Sequence, residues 1–67
     1  MSLTPREKQV TILAAEGEKN TYIALKLGIS VGTVKRTLSN AYNKLNINSR
    51  VELLHYYYNG QLGGPQL

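Results

Sequence analysis

The 67-residue chain reads as an all-α domain: a four-helix bundle with a helix-turn-helix at its centre and no wing. Three observations carry this reading. Apolar residues recur at helical rather than strand spacing. Helix-start and helix-stop residues divide the chain into four segments. A short Gly28-Ile29-Ser30 turn joins the two middle segments, as in a helix-turn-helix.

The first helix opens at Thr4-Pro5-Arg6-Glu7, an N-cap, a first-turn proline and a capping-box glutamate. Val10, Leu13 and Ala14 form its inward stripe, and Gly17 closes it. The second begins at Asn20 or Thr21, without a capping box, turns Ile23, Ala24 and Leu27 inward, and stops at Gly28. Ser30 caps the third, which runs to Leu45 with Asn46 as a left-handed stop. Ser49-Arg50-Val51-Glu52 is a second S-x-x-E capping box and opens the fourth, which Gly60 ends. Met1 and Ser2 read as a leader, residues 3–60 as the domain, and residues 61–67, with Gly63-Gly64-Pro65, as a frayed tail.

A single domain of this size buries only about 60% of its unfolded surface, so its core must be compact. With no cysteine there is neither a disulfide framework nor a thiolate metal site. No apolar run approaches the roughly 20 residues of a membrane span, and no signal peptide precedes Leu3. The formal charge is +4, from eight Lys and Arg against four Glu. Its distribution says more. Lys19, Lys26, Lys35, Arg36, Lys44 and Arg50 lie between Glu18 and Glu52 with no acid among them, which points to a polyanion. One long apolar face opposite these cations would suggest an anionic membrane, and there is none.

On the third helix, Val34, Leu38, Ala41 and Leu45 fall within about 60° of one another and face the core. The opposite face carries Gly32, Arg36, Ser39, Asn40 and Asn43, with Lys35 at its edge and Thr33 on the other flank. Arg and Lys suit guanine O6 and N7, Asn suits adenine N6 and N7, and Ser adapts to either. Gly32, costly in a helix interior, costs less in the first turn and lets the helix approach a DNA backbone closely.

The ordered set "LTPREKQV", "AAEG", "IALKLGIS", "TVKRTLSN" and "YNKLNINSRVELL" resembles the LuxR-type helix-turn-helix domain of bacterial response regulators and quorum-sensing regulators, over residues 3 to about 60. The segment "LGIS-x-GTVK" also resembles the fourth region of bacterial sigma factors, the alternative promoter-binding module. The capped fourth helix in "NKLNINSRVELL" favours the LuxR type. The resemblance implies sequence-specific binding to double-stranded DNA, with residues 31–45 in the major groove and dimerisation through the fourth helix on an inverted repeat. It implies base reading by Lys35, Arg36 and Ser39; the helical wheel adds Asn40 behind them. Phosphate contacts carried over fall on Asn20, Thr33 and Lys44, with Lys19 and Thr21 beside them, and the wheel adds Asn43.

Three departures from the family pattern stand out. Thr37 replaces a frequent His, and Lys19 replaces the usual hydroxyl cap of the second helix. Ile12, Tyr22 and Leu25 are apolar where the family is usually polar, so they are candidates for exposure. Such residues would contact a regulatory domain or RNA polymerase, or would equip a helical protein–protein adaptor built on the same scaffold.

In the fourth helix Val51, Leu54 and Tyr58 form one row and Leu53 with Tyr57 another. These rows are expected to face inward and leave His55, Tyr56 and Asn59 at the outer edge as a dimer seam. His55 has no second ligand near it, and no Ser–His–acid set or phosphate-cradling loop appears. The expectation is therefore no metal, no cofactor and no enzyme. It is instead a cytoplasmic, DNA-bound, weakly dimeric domain of a longer regulator, whose N-terminal regulatory domain lies outside these residues.

Overall fold

A computed structural model describes residues 3–60 of the chain. The expected leader and tail lie outside the described residues. Four helices follow in order: α1 (Pro5–Ala15), α2 (Asn20–Leu27), α3 (Val31–Leu45) and α4 (Arg50–Tyr58). Helix α3 packs across α1 and α2, and α4 packs on α1.

The helix boundaries follow from local chemistry. The Thr4 hydroxyl accepts the Glu7 N–H at 3.1 Å, and the Glu7 carboxylate accepts the Thr4 N–H at 2.9 Å, a complete capping box. Gly28 ends α2 with φ +69°, a left-handed turn open to glycine without steric cost. The turn lets Ile29 N–H reach back to Ala24 O at 3.0 Å. The same paired closure recurs after α3, where Asn46 takes φ +57° and Ile47 N–H bonds to Tyr42 O at 3.0 Å. Each turn therefore satisfies orphan carbonyls and folds the following isoleucine back against the core.

Val10, Ala14 and Ala15 of α1, Ile23 and Ala24 of α2, Val34 and Leu38 of α3, Ile47 and Leu53 form one buried cluster. Leu13, Leu27 and Leu45, expected inside, are half-buried against it. Two hydroxyls are buried with them. Thr11 donates to Glu7 O at 2.8 Å and Thr37 to Thr33 O at 2.7 Å, so neither leaves a polar atom unpaired. Thr37 thus serves the interior of α3.

Three expectations fail. Ile12 is half-buried and packs on the core, whereas Tyr22 and Leu25 are exposed as expected. In α4 the inward face is Leu53, Leu54, Tyr56 and Tyr57, while Val51 and Tyr58 are 63% and 68% exposed. The inward arc centres on Leu53, and Val51 and Tyr58 lie roughly 140–160° from it. Finally, the second capping box is only half formed. The Ser49 hydroxyl takes the Glu52 N–H at 3.3 Å, but the Glu52 carboxylate bonds the Asn48 N–H at 2.6 Å instead of that of Ser49.

Candidate nucleic-acid interface

Helix α3 is amphipathic because two sets of residues alternate at helical spacing. Val34, Leu38 and Ala41 are buried, and Gly32, Thr33, Lys35, Arg36, Ser39, Asn40 and Asn43 are exposed. From Gly32 to Asn43 this polar face runs about 16 Å, enough to cross a major groove about 12 Å wide. Ser30, Gly32, Thr33 and Arg36 line a hollow of about 300 Å³ at its N-terminal end. The buried face pins the helix to α1 and α2, so the polar face is presented on a rigid support.

Electrostatics distinguish the cations. Among the described residues the one ion pair is Lys44 Nζ with Glu7 Oε1, at 2.9 Å. Lys19, Lys26, Lys35 and Arg36 therefore carry uncompensated charge. The Lys44 hydrogen bond, reinforced by the Thr4 N–H, holds the Glu7 carboxyl below its ordinary value, although desolvation pulls the other way. Lys44 is half-buried, and one of its ammonium donors is committed to α1.

The remaining candidate phosphate contacts separate into two groups. Thr33 is exposed, but its N–H is taken by Ser30 Oγ at 3.0 Å, and the two hydroxyls share a bond of 2.9 Å. Asn43 is exposed with the base-facing set. At the start of α2, Lys19 is the N-cap and makes no side-chain cap bond, so the first N–H groups of that helix lack a side-chain partner. Thr21 is exposed beside it, and Asn20 is half-buried, its Oδ1 accepting from Arg50 of α4 at 3.1 Å. Lys26 stands 5.8 Å from the Tyr22 ring centroid, a cation–π pair on the outer side of α2 next to Leu25, which is 81% exposed.

In α4, His55 and Asn59 are exposed, as expected of a seam. Tyr56 is not at the outer edge. It is half-buried, and its hydroxyl donates to Leu45 O at 3.0 Å, tying α4 to the end of α3. The exposed apolar side chains are Val51 and Tyr58, on either side of His55 at intervals of four and three residues. Centring the wheel on Leu53 instead of Val51 would have found them. The Arg50–Asn20 and Lys44–Glu7 contacts had no local signal. Among the described residues no three His, Cys, Asp or Glu come together as a metal site. No helix among them is long and apolar enough to cross a membrane.

Residues 1–57 match the family model described as bacterial regulatory proteins, luxR family. An Aeromonas salmonicida protein, named as an HTH-type transcriptional regulator in the exeN 3′ region, is 41% identical over 63 residues, 94% of this chain and 32% of that protein. The transcriptional regulatory protein LiaR of Bacillus subtilis is 36% identical over 61 residues, 91% of this chain and 29% of its own length. YdfI, another transcriptional regulatory protein of that organism, is 50% identical over 48 residues, 69% of this chain and 22% of its own. The chain spans a third or less of these relatives. The amphipathic α3, the glycine turn before it and the family match agree: this chain is a LuxR-type helix-turn-helix domain, a member of the luxR family of bacterial regulatory proteins that bind DNA and regulate transcription.

Proposed function

We propose that this domain inserts α3 into the major groove of a specific duplex site, with Lys35, Arg36 and Ser39 reading bases and Asn40 behind them. The observation that supports this most is the exposed α3 face: Lys35 and Arg36 carry charge that no acid among the described residues compensates, on a helix whose other side is fixed in the core. Lys19, Asn20, Thr21, Thr33 and Asn43 hold the phosphates, and Lys44 assists while sharing its ammonium with Glu7. Phosphate contacts supply affinity and register, and the base edges supply specificity.

Two protomers meet weakly through the outer side of α4 on an inverted repeat. Val51 and Tyr58 join His55 and Asn59 in that seam, in place of Tyr56. The domain works without catalysis or cofactor, in the cytoplasm where bacterial DNA lies. It serves as the DNA-binding end of a longer regulator with an N-terminal regulatory domain. Tyr22 and Leu25 suit contact with that domain or with RNA polymerase.

The test is fluorescence polarisation on duplexes of varied sequence over a range of salt. If each protomer neutralises about four phosphates, log K against log salt should slope near −3.6. Lys35→Ala or Arg36→Ala should cost about 1–3 kcal/mol on the preferred site and much less on random duplex. A slope of zero, or equal losses on both duplexes, would reject groove reading by α3.

A further inference from the structure

A cation from another helix reaches the start of α2, beside the Lys19 N-cap. Arg50, the first residue of α4, reaches across to donate from its guanidinium to Asn20 Oδ1 at 3.1 Å, over a separation of 30 residues. It is the one hydrogen bond between α2 and α4 among the described residues. A guanidinium can only donate, so the Asn20 atom that faces it must be the carbonyl oxygen. The carboxamide nitrogen, with two N–H donors, is then turned the other way. It donates to no protein acceptor among the described residues.

We infer that Arg50 is a positioning residue for DNA binding: by holding the Asn20 oxygen, it presents the Asn20 amide nitrogen as a donor to a backbone phosphate. This rests on the proposed phosphate role of Asn20. The physical basis is the soft last torsion of asparagine. Its oxygen-out and nitrogen-out orientations are nearly equal in energy when nothing selects between them. An outward oxygen would repel a phosphate, and an outward N–H₂ binds it. The Arg50 guanidinium keeps its charge and its other N–H donors, so direct phosphate contact by Arg50 is the competing role, which the salt dependence separates from positioning. The Glu52 carboxylate, two residues along, accepts the Asn48 N–H at 2.6 Å and forms no ion pair with Arg50.

The experiment is a double-mutant cycle on a fixed duplex, using Arg50→Ala, Asn20→Ala and the pair, with affinity read against salt. Circular dichroism at the assay temperature establishes that each variant is folded. Arg50→Ala should weaken binding about twofold, the outcome of freeing one two-fold rotor whose competent orientation is then half populated. The salt slope should stay unchanged, because a neutral amide releases no counterion. In the Asn20→Ala background, Arg50→Ala should have no further effect, and Arg50→Lys should restore most of the affinity in the native background. A slope shallower by about 0.9 in Arg50→Ala would mean that Arg50 contacts a phosphate directly and would overturn the positioning role. Additive losses in the cycle, or no loss in Arg50→Ala, would overturn it as well. Absence of duplex binding by the native domain would instead reject the proposed function itself.

Discussion

Gly32 occupies the first turn of α3 although its backbone does not require glycine. A Cβ built there would meet only the Ser30 hydroxyl oxygen, at an ordinary 3.8 Å. Helix propensity alone would favour alanine, by up to about 1 kcal/mol in a helix interior and less near an end. In the proposed complex the position has a second demand, close approach of the duplex, because Gly32 lines the same hollow as Arg36. Gly32→Ala should hold or raise the melting temperature, by about 2–4 °C for a gain near 0.5 kcal/mol. It should weaken duplex binding several-fold on every sequence, because the added methyl group displaces the DNA backbone. Unchanged affinity would show that α3 does not approach the duplex at this position.

At the scale of an element, α4 has two aromatic faces with different duties. Tyr56 is bonded through its hydroxyl to the end of α3, and Tyr57 donates to Glu16 Oε2 of the α1 cap at 3.2 Å. Tyr58 is exposed and stacks edge-on against Tyr57, with ring centroids 5.4 Å apart. Tyr56→Phe should cost about 0.5–1.5 kcal/mol of fold stability for the lost bond. It should affect single and paired DNA half-sites alike. Tyr58→Ala should leave the melting temperature almost unmoved and single half-site binding intact, yet reduce cooperative binding to an inverted repeat. There the two protomers are held at millimolar-order effective concentration, so a weak seam contributes. Equal losses on both duplexes would place the seam elsewhere.

Over the whole molecule, the Glu7–Lys44 bridge joins the start of α1 to the end of α3 across 37 residues. Folding lowers the Glu7 pKa, so the bridge's stabilisation is complete above the ordinary value of 4.5 and fades as pH falls through the lower folded value. Lys44→Met should be less stable than the native domain near pH 7, and the difference should narrow at an acid pH below the lowered folded value, where Glu7 gains a proton in both. Urea midpoints at the two pH values measure this, and a constant difference would mean that Lys44 acts through its methylene packing alone. The same variant should weaken DNA binding, so its affinity has to be read at a temperature where both proteins remain folded.

Helix boundaries were legible because they depend on neighbours within about four residues. Thr4 with Glu7, Ser30 with the Thr33 N–H, and the left-handed Gly28 and Asn46 are all settled by backbone sterics and short-range hydrogen bonds. The two faces of α3 were legible for a related reason: a long helix with well-separated apolar and polar residues has one way to bury itself. Helix α4 is shorter and carries three consecutive tyrosines, so several rotations about its axis bury similar area. Only its packing on α1, through Leu53, and the Tyr56 bond to Leu45 select among them. The partners of Lys44 and Arg50 were likewise decided by tertiary structure. Those side chains meet Glu7 and Asn20 from 37 and 30 residues away, and periodicity along one helix carries no information about which other helix end lies beside it.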